Sequence, residues 1–159
     1  MSLLFKKSAE VLHSFKPAGR MLALAESCTG GLIAKSITDH PGSSAVFERG
    51  YVTYSNQAKT QILDVPATMI DKHGAVSRPV AEAMAMGALK HSSADIVASV
   101  TGIAGPGGGT TEKPVGLIYI GIKKRGKDPV IHQLNLSGDR DKIRTQTAIF
   151  VCQELVETI

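Results

Sequence analysis

Three side chains able to act as nucleophiles stand in a row at Ser27-Cys28-Thr29, preceded by Glu26 and followed by Gly30-Gly31. A hydroxyl or thiol of this kind forms a covalent intermediate once a nearby base takes its proton or its pKa is lowered. The spacing alone leaves all three open. A second candidate is Lys59, downstream of Ser55-Asn56, a pair able to cap a helix. With Asn56 as the cap, Lys59 falls in the first helical turn, where the positive dipole end and any burial lower an amine's pKa toward that of a useful base. A third feature is Gly102-Ile103-Ala104-Gly105-Pro106-Gly107-Gly108-Gly109, a loop permissive enough to bring backbone N–H groups against a ligand. Arg140, beside Asp139 and Asp141, either faces a bound phosphate or pairs with Asp141.

These groups need a scaffold, and the hydrophobic pattern supplies one. Met21–Ala25 is an apolar run of strand length, and Leu32–Ile37 has helical spacing, so the Ser27 segment is a strand-to-helix turn, where α/β proteins bind ligands. Residues 3–15 predict a covering helix that ends around Lys16-Pro17-Ala18-Gly19. Phe47–Tyr54 reads as a strand, and a short helix follows through Leu63. A second short helix starts at Val65-Pro66-Ala67-Thr68 and ends near His73-Gly74, and a longer one begins at Ser77 as cap, with Met84 and Met86 in its core face. Asp95–Thr101 is almost continuously apolar, the pattern of a strand buried on both faces, and it leads into the glycine-rich loop beside the first turn. Val115–Lys123 and Val130–Leu136 alternate at period two around Gly126-Lys127-Asp128-Pro129 and predict an antiparallel hairpin; Asp139 then caps a C-terminal amphipathic helix. The fold class expected is α/β, a single domain over 1–159 with three α/β/α layers and a mixed, mainly parallel sheet ending in that hairpin.

Composition narrows the function classes. The 159 residues are 43% hydrophobic and 20% charged, with no apolar run approaching a membrane span, and Met1–Ala18 reads as an amphipathic helix rather than a leader; the expected setting is cytoplasmic. Two cysteines, Cys28 and Cys152, give no disulfide framework, and five histidines lack ligand spacing, so neither a metal nor a cofactor is expected. A net charge of +4 is dispersed, aromatics are 4%, and the one basic cluster, Lys123-Lys124-Arg125, reads as a solvated turn; nucleic acid and membrane are not expected partners.

Six motifs in order, Ala25-Glu26-Ser27-Cys28-Thr29-Gly30-Gly31, Pro41-Gly42-Ser43-Ser44, Gly50-Tyr51-Val52-Thr53-Tyr54-Ser55-Asn56 with Lys59, His73-Gly74-Ala75-Val76-Ser77, Thr101–Pro106 with Lys113-Pro114-Val115-Gly116, and Ser137-Gly138-Asp139-Arg140, together resemble the C-terminal domain of the competence/damage-inducible CinA family. The resemblance implies metal-independent hydrolysis of the carboxamide of nicotinamide mononucleotide, giving nicotinate mononucleotide and ammonia. It also implies a serine nucleophile at Ser27, assisted by Tyr54 and Lys59. On that reading Lys59 takes the Ser27 proton directly or through the Tyr54 hydroxyl. The Thr29-Gly30-Gly31 helix start holds the oxyanion, while Thr101, Gly102, Gly105 and Arg140 bind the nucleotide and its phosphate. Two alternatives stand beside it: Cys28 as nucleophile, its thiol pKa lowered by the helix N-terminus, and a nucleotide-binding or regulatory module that keeps the scaffold without the chemistry. A homodimer is the expected assembly.

Overall fold

The computed structural model describes all of residues 1–159. The elements follow the chain as α1 (Leu3–Ala18), β1 (Leu22–Glu26), α2 (Leu32–Thr38), a single 3-10 turn (Ser43–Ala45), β2 (Phe47–Val52), α3 (Asn56–Leu63), α4 (Ala67–His73), α5 (Arg78–Lys90), β3 (Ile96–Gly102), β4 (Leu117–Lys124), β5 (Val130–Asn135) and α6 (Arg140–Thr158). One five-stranded sheet runs in the order β2-β1-β3-β4-β5. β1 pairs in parallel with both β2 and β3, and the β3–β4 and β4–β5 ladders are antiparallel, so four strands point one way and β4 alone points back.

Period-two alternation along β1 divides the core. Leu22 and Leu24 face one side with Ile96, Ala98 and Val100 of β3, and are covered by Val11 and Phe15 of α1, Ile33 and Ile37 of α2, and Ile143, Val151 and Leu155 of α6. Ala23 and Ala25 face the other with Val97, against Leu63, Ile70, Val80, Met84 and Ala88 of α3, α4 and α5. Small side chains on this second face allow α5 to lie close to the sheet. One close approach is at Gly121 of β4, where an added Cβ would lie 2.6 Å from Ser99 Oγ and 3.0 Å from the Ala81 carbonyl.

Several local expectations change in the folded chain. Ser55 rather than Asn56 caps α3, accepting from the Ala58 amide at 3.0 Å, so Lys59 is four residues past the cap. Ser77 occupies the N-cap position of α5, as expected, but its hydroxyl does not bond to the helix; it turns back to donate to the Gly74 carbonyl at 2.8 Å. Met84 is buried, but Met86 is 46% exposed, because α5 buries only the stripe facing the sheet. The basic cluster is not a freely solvated turn. Arg125 donates to the carbonyls of Ala94, Leu89 and Ser92, Lys124 to that of Thr158, and Lys123 to those of Lys124 and Lys127. No helix is long and apolar enough to cross a membrane.

Candidate active site

Ser27 sits one residue beyond the C-terminal end of β1, held there from both neighbouring strands. Its own amide donates to the Val100 carbonyl of β3 at 3.0 Å, while the preceding carbonyl, that of Glu26, accepts from Thr53 at the end of β2 at 2.9 Å. The side chain is 7% exposed and opens on a cavity of about 270 Å3. Cys28, Tyr54, Asn56, Lys59, Thr101, Gly102, Gly105 and Arg140 also line this cavity. Thus seven of the ten residues proposed from sequence converge on one space. Thr29, Gly30 and Gly31 do not line it.

Lys59 is the chemical centre of this arrangement. Its side chain runs inward from α3, is 1% exposed, and ends with Nζ 2.9 Å from Ser27 Oγ and 3.0 Å from the Thr53 carbonyl oxygen. No carboxylate pairs with it. Burial therefore lowers its pKa below the ordinary 10.5, since a desolvated ammonium without a counter-ion is disfavoured against the neutral amine. The cause is burial rather than the helix dipole expected from a first-turn position.

The thiol beside Ser27 behaves in the opposite sense. Cys28 is buried, and desolvation pushes its pKa up to about 11, outweighing the Arg144 and Lys59 charges and the backbone hydrogen bond that pull it down. It remains a neutral thiol near neutral pH, which removes the expectation of a helix-activated thiolate.

The remaining expected residues have defined places. The Tyr54 side chain is 60% exposed at the cavity mouth, and its hydroxyl accepts from Arg140 Nη2 at 2.9 Å. It makes no hydrogen bond to Ser27 or Lys59, so the direct contact, not a tyrosine bridge, links those two. Arg140 also donates from Nη1 to the Gly105 carbonyl at 2.9 Å and forms no ion pair with Asp141. Its guanidinium therefore spans the mouth from the α6 start to the glycine-rich loop and Tyr54. The Thr101 hydroxyl donates to the Ala75 carbonyl at 2.8 Å, tying the end of β3 to the loop before α5. Gly102 is packed so tightly that a Cβ would lie 2.3 Å from Ile118 Cδ1 and 2.9 Å from the Leu117 carbonyl oxygen.

Two charged residues that the sequence alone does not single out shape the Ser27 turn. Glu26, 1% exposed, accepts through its two carboxylate oxygens from the amides of Ile33 and Ala34, each at 3.0 Å. The start of α2 is thus already occupied by a carboxylate, which explains why Thr29-Gly30-Gly31 offers no open helix-end anion site. Arg144, one turn into α6, donates to the carbonyls of Cys28 at 3.1 Å and Thr29 at 2.7 Å. The signal for Glu26 is its place beside Ser27, just ahead of a helix start. Nothing in the local pattern around Arg144 marks it, because its partners lie 115 and 116 residues away.

A family model for the CinA C-terminal domain matches residues 5–159. The chain belongs to the CinA C-terminal domain family. A CinA-like protein of Geotalea uraniireducens is 56% identical over 87% of this chain, and the chain spans about a third of that protein and of a similar one from Citrifermentans bemidjiense. A protein of Escherichia coli K12 named nicotinamide-nucleotide amidohydrolase PncC is 47% identical, over 97% of this chain and 93% of its own length. Among solved structures, the competence/damage inducible protein CihA of Agrobacterium tumefaciens superposes with a TM-score of 0.96 at 42% identity, covering 99% of this chain and 96% of that one. In this member of the family the cavity at the β1 and β3 ends joins a buried amine to a serine hydroxyl.

Proposed function

We propose that the chain is a nicotinamide-nucleotide amidase that hydrolyses the carboxamide of nicotinamide mononucleotide, with Ser27 as nucleophile and Lys59 as general acid and base. The observation that carries this reading is the 2.9 Å contact between Ser27 Oγ and a Lys59 amine whose pKa is lowered by burial. The similarity to proteins named for that reaction supplies the substrate.

The chemistry follows from the demands of an amide. In its neutral form Lys59 has a lone pair to accept the Ser27 proton, while an N–H continues to donate to the Thr53 carbonyl. Ser27 Oγ bonds to the carboxamide carbon as that proton moves to Nζ, and the carbonyl π electrons move onto oxygen. Collapse breaks the C–N bond, and Lys59 returns the proton to the departing nitrogen, which leaves as ammonia. Water then attacks the ester, giving its proton to Lys59; the released carboxylate is nicotinate mononucleotide, and Ser27 regains its hydrogen. Tyr54 and Arg140 act at the mouth, where the guanidinium and the glycine-rich loop receive the 5′-phosphate and the phenol bounds the substrate on the exposed side. Thr101 and Gly102 line the cavity at the end of β3, and Gly105 lies beside Arg140. No cofactor enters the scheme. A cytoplasmic homodimer is the assembly that goes with it, and sedimentation equilibrium checks that state.

The test is ammonia release from nicotinamide mononucleotide by the purified protein. Ser27→Ala is expected to lose activity by roughly 10⁴-fold or more, as for removal of a serine nucleophile elsewhere, while Cys28→Ala keeps most of it. Tight binding without ammonia, or activity that survives Ser27→Ala and disappears in Cys28→Ala, overturns the reading.

A further inference from the structure

We infer that Arg144 is a positioning residue for the reaction, holding the Ser27–Thr29 turn so that the Cys28 amide, next to Ser27 on the cavity, meets the negative charge developing on the substrate oxygen. The inference rests on the amidase reading above. Its basis is how the polar groups of the turn are distributed. Three successive carbonyls are committed: that of Ser27 accepts from the Gly30 amide at 3.0 Å, that of Thr29 from Leu32 at 3.0 Å and from Arg144 Nη2 at 2.7 Å, and that of Cys28 from Arg144 Nε at 3.1 Å. The amides of Cys28 and Thr29 donate to no backbone carbonyl. Both peptide bonds are trans, so each of these N–H groups points opposite to the carbonyl that precedes it, away from the Gly30 amide and the Arg144 guanidinium respectively.

Arg144 is the only hydrogen-bond partner of the Cys28 carbonyl. Without it the Cys28–Thr29 peptide plane is free to turn, and Cys28, which borders the cavity, loses the anchor on its C-terminal side. Arg144 forms no ion pair, so its full charge acts on the turn. A cation hydrogen-bonded to a peptide oxygen also polarises that peptide and strengthens its N–H as a donor. The guanidinium lies against Gly30, where an added Cβ would sit 3.4 Å from Nη2. Cys28 borders the cavity with Ser27, and the residue after a nucleophile is a usual source of an oxyanion-binding amide. With the α2 start occupied by Glu26, the Cys28 amide is the donor the turn has left at the cavity for a tetrahedral intermediate.

The experiment compares wild type, Arg144→Ala and Arg144→Lys with nicotinamide mononucleotide as substrate, reading kcat, KM, the pH profile and thermal unfolding. Loss of the donor's alignment predicts a fall in kcat of about 10- to 100-fold, below the roughly 10²- to 10³-fold seen when an oxyanion donor is deleted outright. KM stays within about twofold and the pH midpoint set by Lys59 does not move, as expected when an interaction is made only in the transition state. Arg144→Lys retains more kcat than Arg144→Ala, and millimolar guanidinium salt restores part of the kcat of the alanine variant without acting on the wild type. If Arg144→Ala does not fold, the kcat and KM of the lysine variant decide the matter. Unchanged kcat, a loss confined to KM, or a folded alanine variant that guanidinium does not rescue overturns the inference while leaving the amidase reading intact. A wild type that releases no ammonia removes both.

Discussion

Lys59 is buried with one carbonyl and one hydroxyl for partners, an environment that favours the neutral amine. Catalysis and stability should both report this. In its proposed role as base, Lys59 acts only when neutral, so kcat/KM should rise with pH as the ammonium loses its proton and level off below the ordinary lysine value of 10.5. Lys59→Arg, which keeps its proton throughout, should be nearly inactive. The stability effect has the same origin. Between the lowered folded pKa and 10.5 the unfolded chain binds more protons at this position than the folded one. Stability therefore rises with pH across that window, by up to about 1.4 kcal/mol per pH unit. Cys28 and Cys152, raised by burial to about 11 and about 12, act in the opposite direction, because the unfolded thiols lose protons first; their effect begins near 9. Urea unfolding of wild type and Lys59→Met below pH 9 isolates the lysine. The expected result is a wild-type stability that climbs more steeply with pH than that of the variant; parallel curves would mean that Lys59 keeps its ordinary pKa.

At the scale of elements, α3 must hold Lys59 at a fixed depth, and α5 sets that depth. Gly87 of α5 approaches the end of α3 so closely that an added Cβ would lie 1.8 Å from the Leu63 carbonyl oxygen and 2.7 Å from its carbon. Gly87→Ala gains up to about 1 kcal/mol of helix propensity, but the clash is with backbone and is relieved only by moving α3. Overpacking of this kind costs about 1–3 kcal/mol. The variant is expected to unfold at lower urea concentration and to lose kcat, because the movement carries Nζ away from Ser27; a variant with unchanged kcat would show that α3 yields without disturbing Lys59. These contacts also mark the limits of reading the chain without its fold. The strand-turn-helix around Ser27, the hairpin around Gly126 and the Asp139 cap of α6 are legible in the sequence because each depends on neighbours a few residues apart. Met86 misleads because it suits a helical apolar stripe that tertiary packing does not use, and Ser77, though in its cap position, spends its hydroxyl on Gly74 rather than on the helix. Glu26 and Arg144 stay hidden because what they do depends on where β1, α2 and α6 meet. A direct Ser27–Lys59 contact is one of the two routes the sequence allows, but the separate place of Tyr54 at the mouth depends on an Arg140 that is 86 residues away.

On the scale of the whole molecule, the sheet order places β1 between its two parallel neighbours. The chain leaves β1 through α2 on one face to reach β2, then returns through α3, α4 and α5 on the other to reach β3. Connections that diverge to opposite faces leave a crevice at the C-terminal strand ends, the usual ligand position in α/β sheets, and Ser27 and Gly102 both lie there. A ligand in that crevice contacts groups from β1, α3, the glycine-rich loop and α6 at once, segments that come together only in the folded chain. Binding should therefore stabilise the whole fold against global unfolding. Ser27→Ala allows the effect to be measured without turnover: its unfolding temperature should rise with nicotinamide mononucleotide concentration, approaching about 2.7 kcal/mol of added stability at a hundredfold excess over Kd. Adding Arg140→Ala to that variant should shift the response to higher ligand concentrations, since the guanidinium proposed to meet the phosphate is gone. Nicotinamide without the ribose phosphate should stabilise both proteins equally and weakly. A response to the nucleotide that Arg140→Ala leaves unchanged would move the phosphate away from the mouth of the crevice.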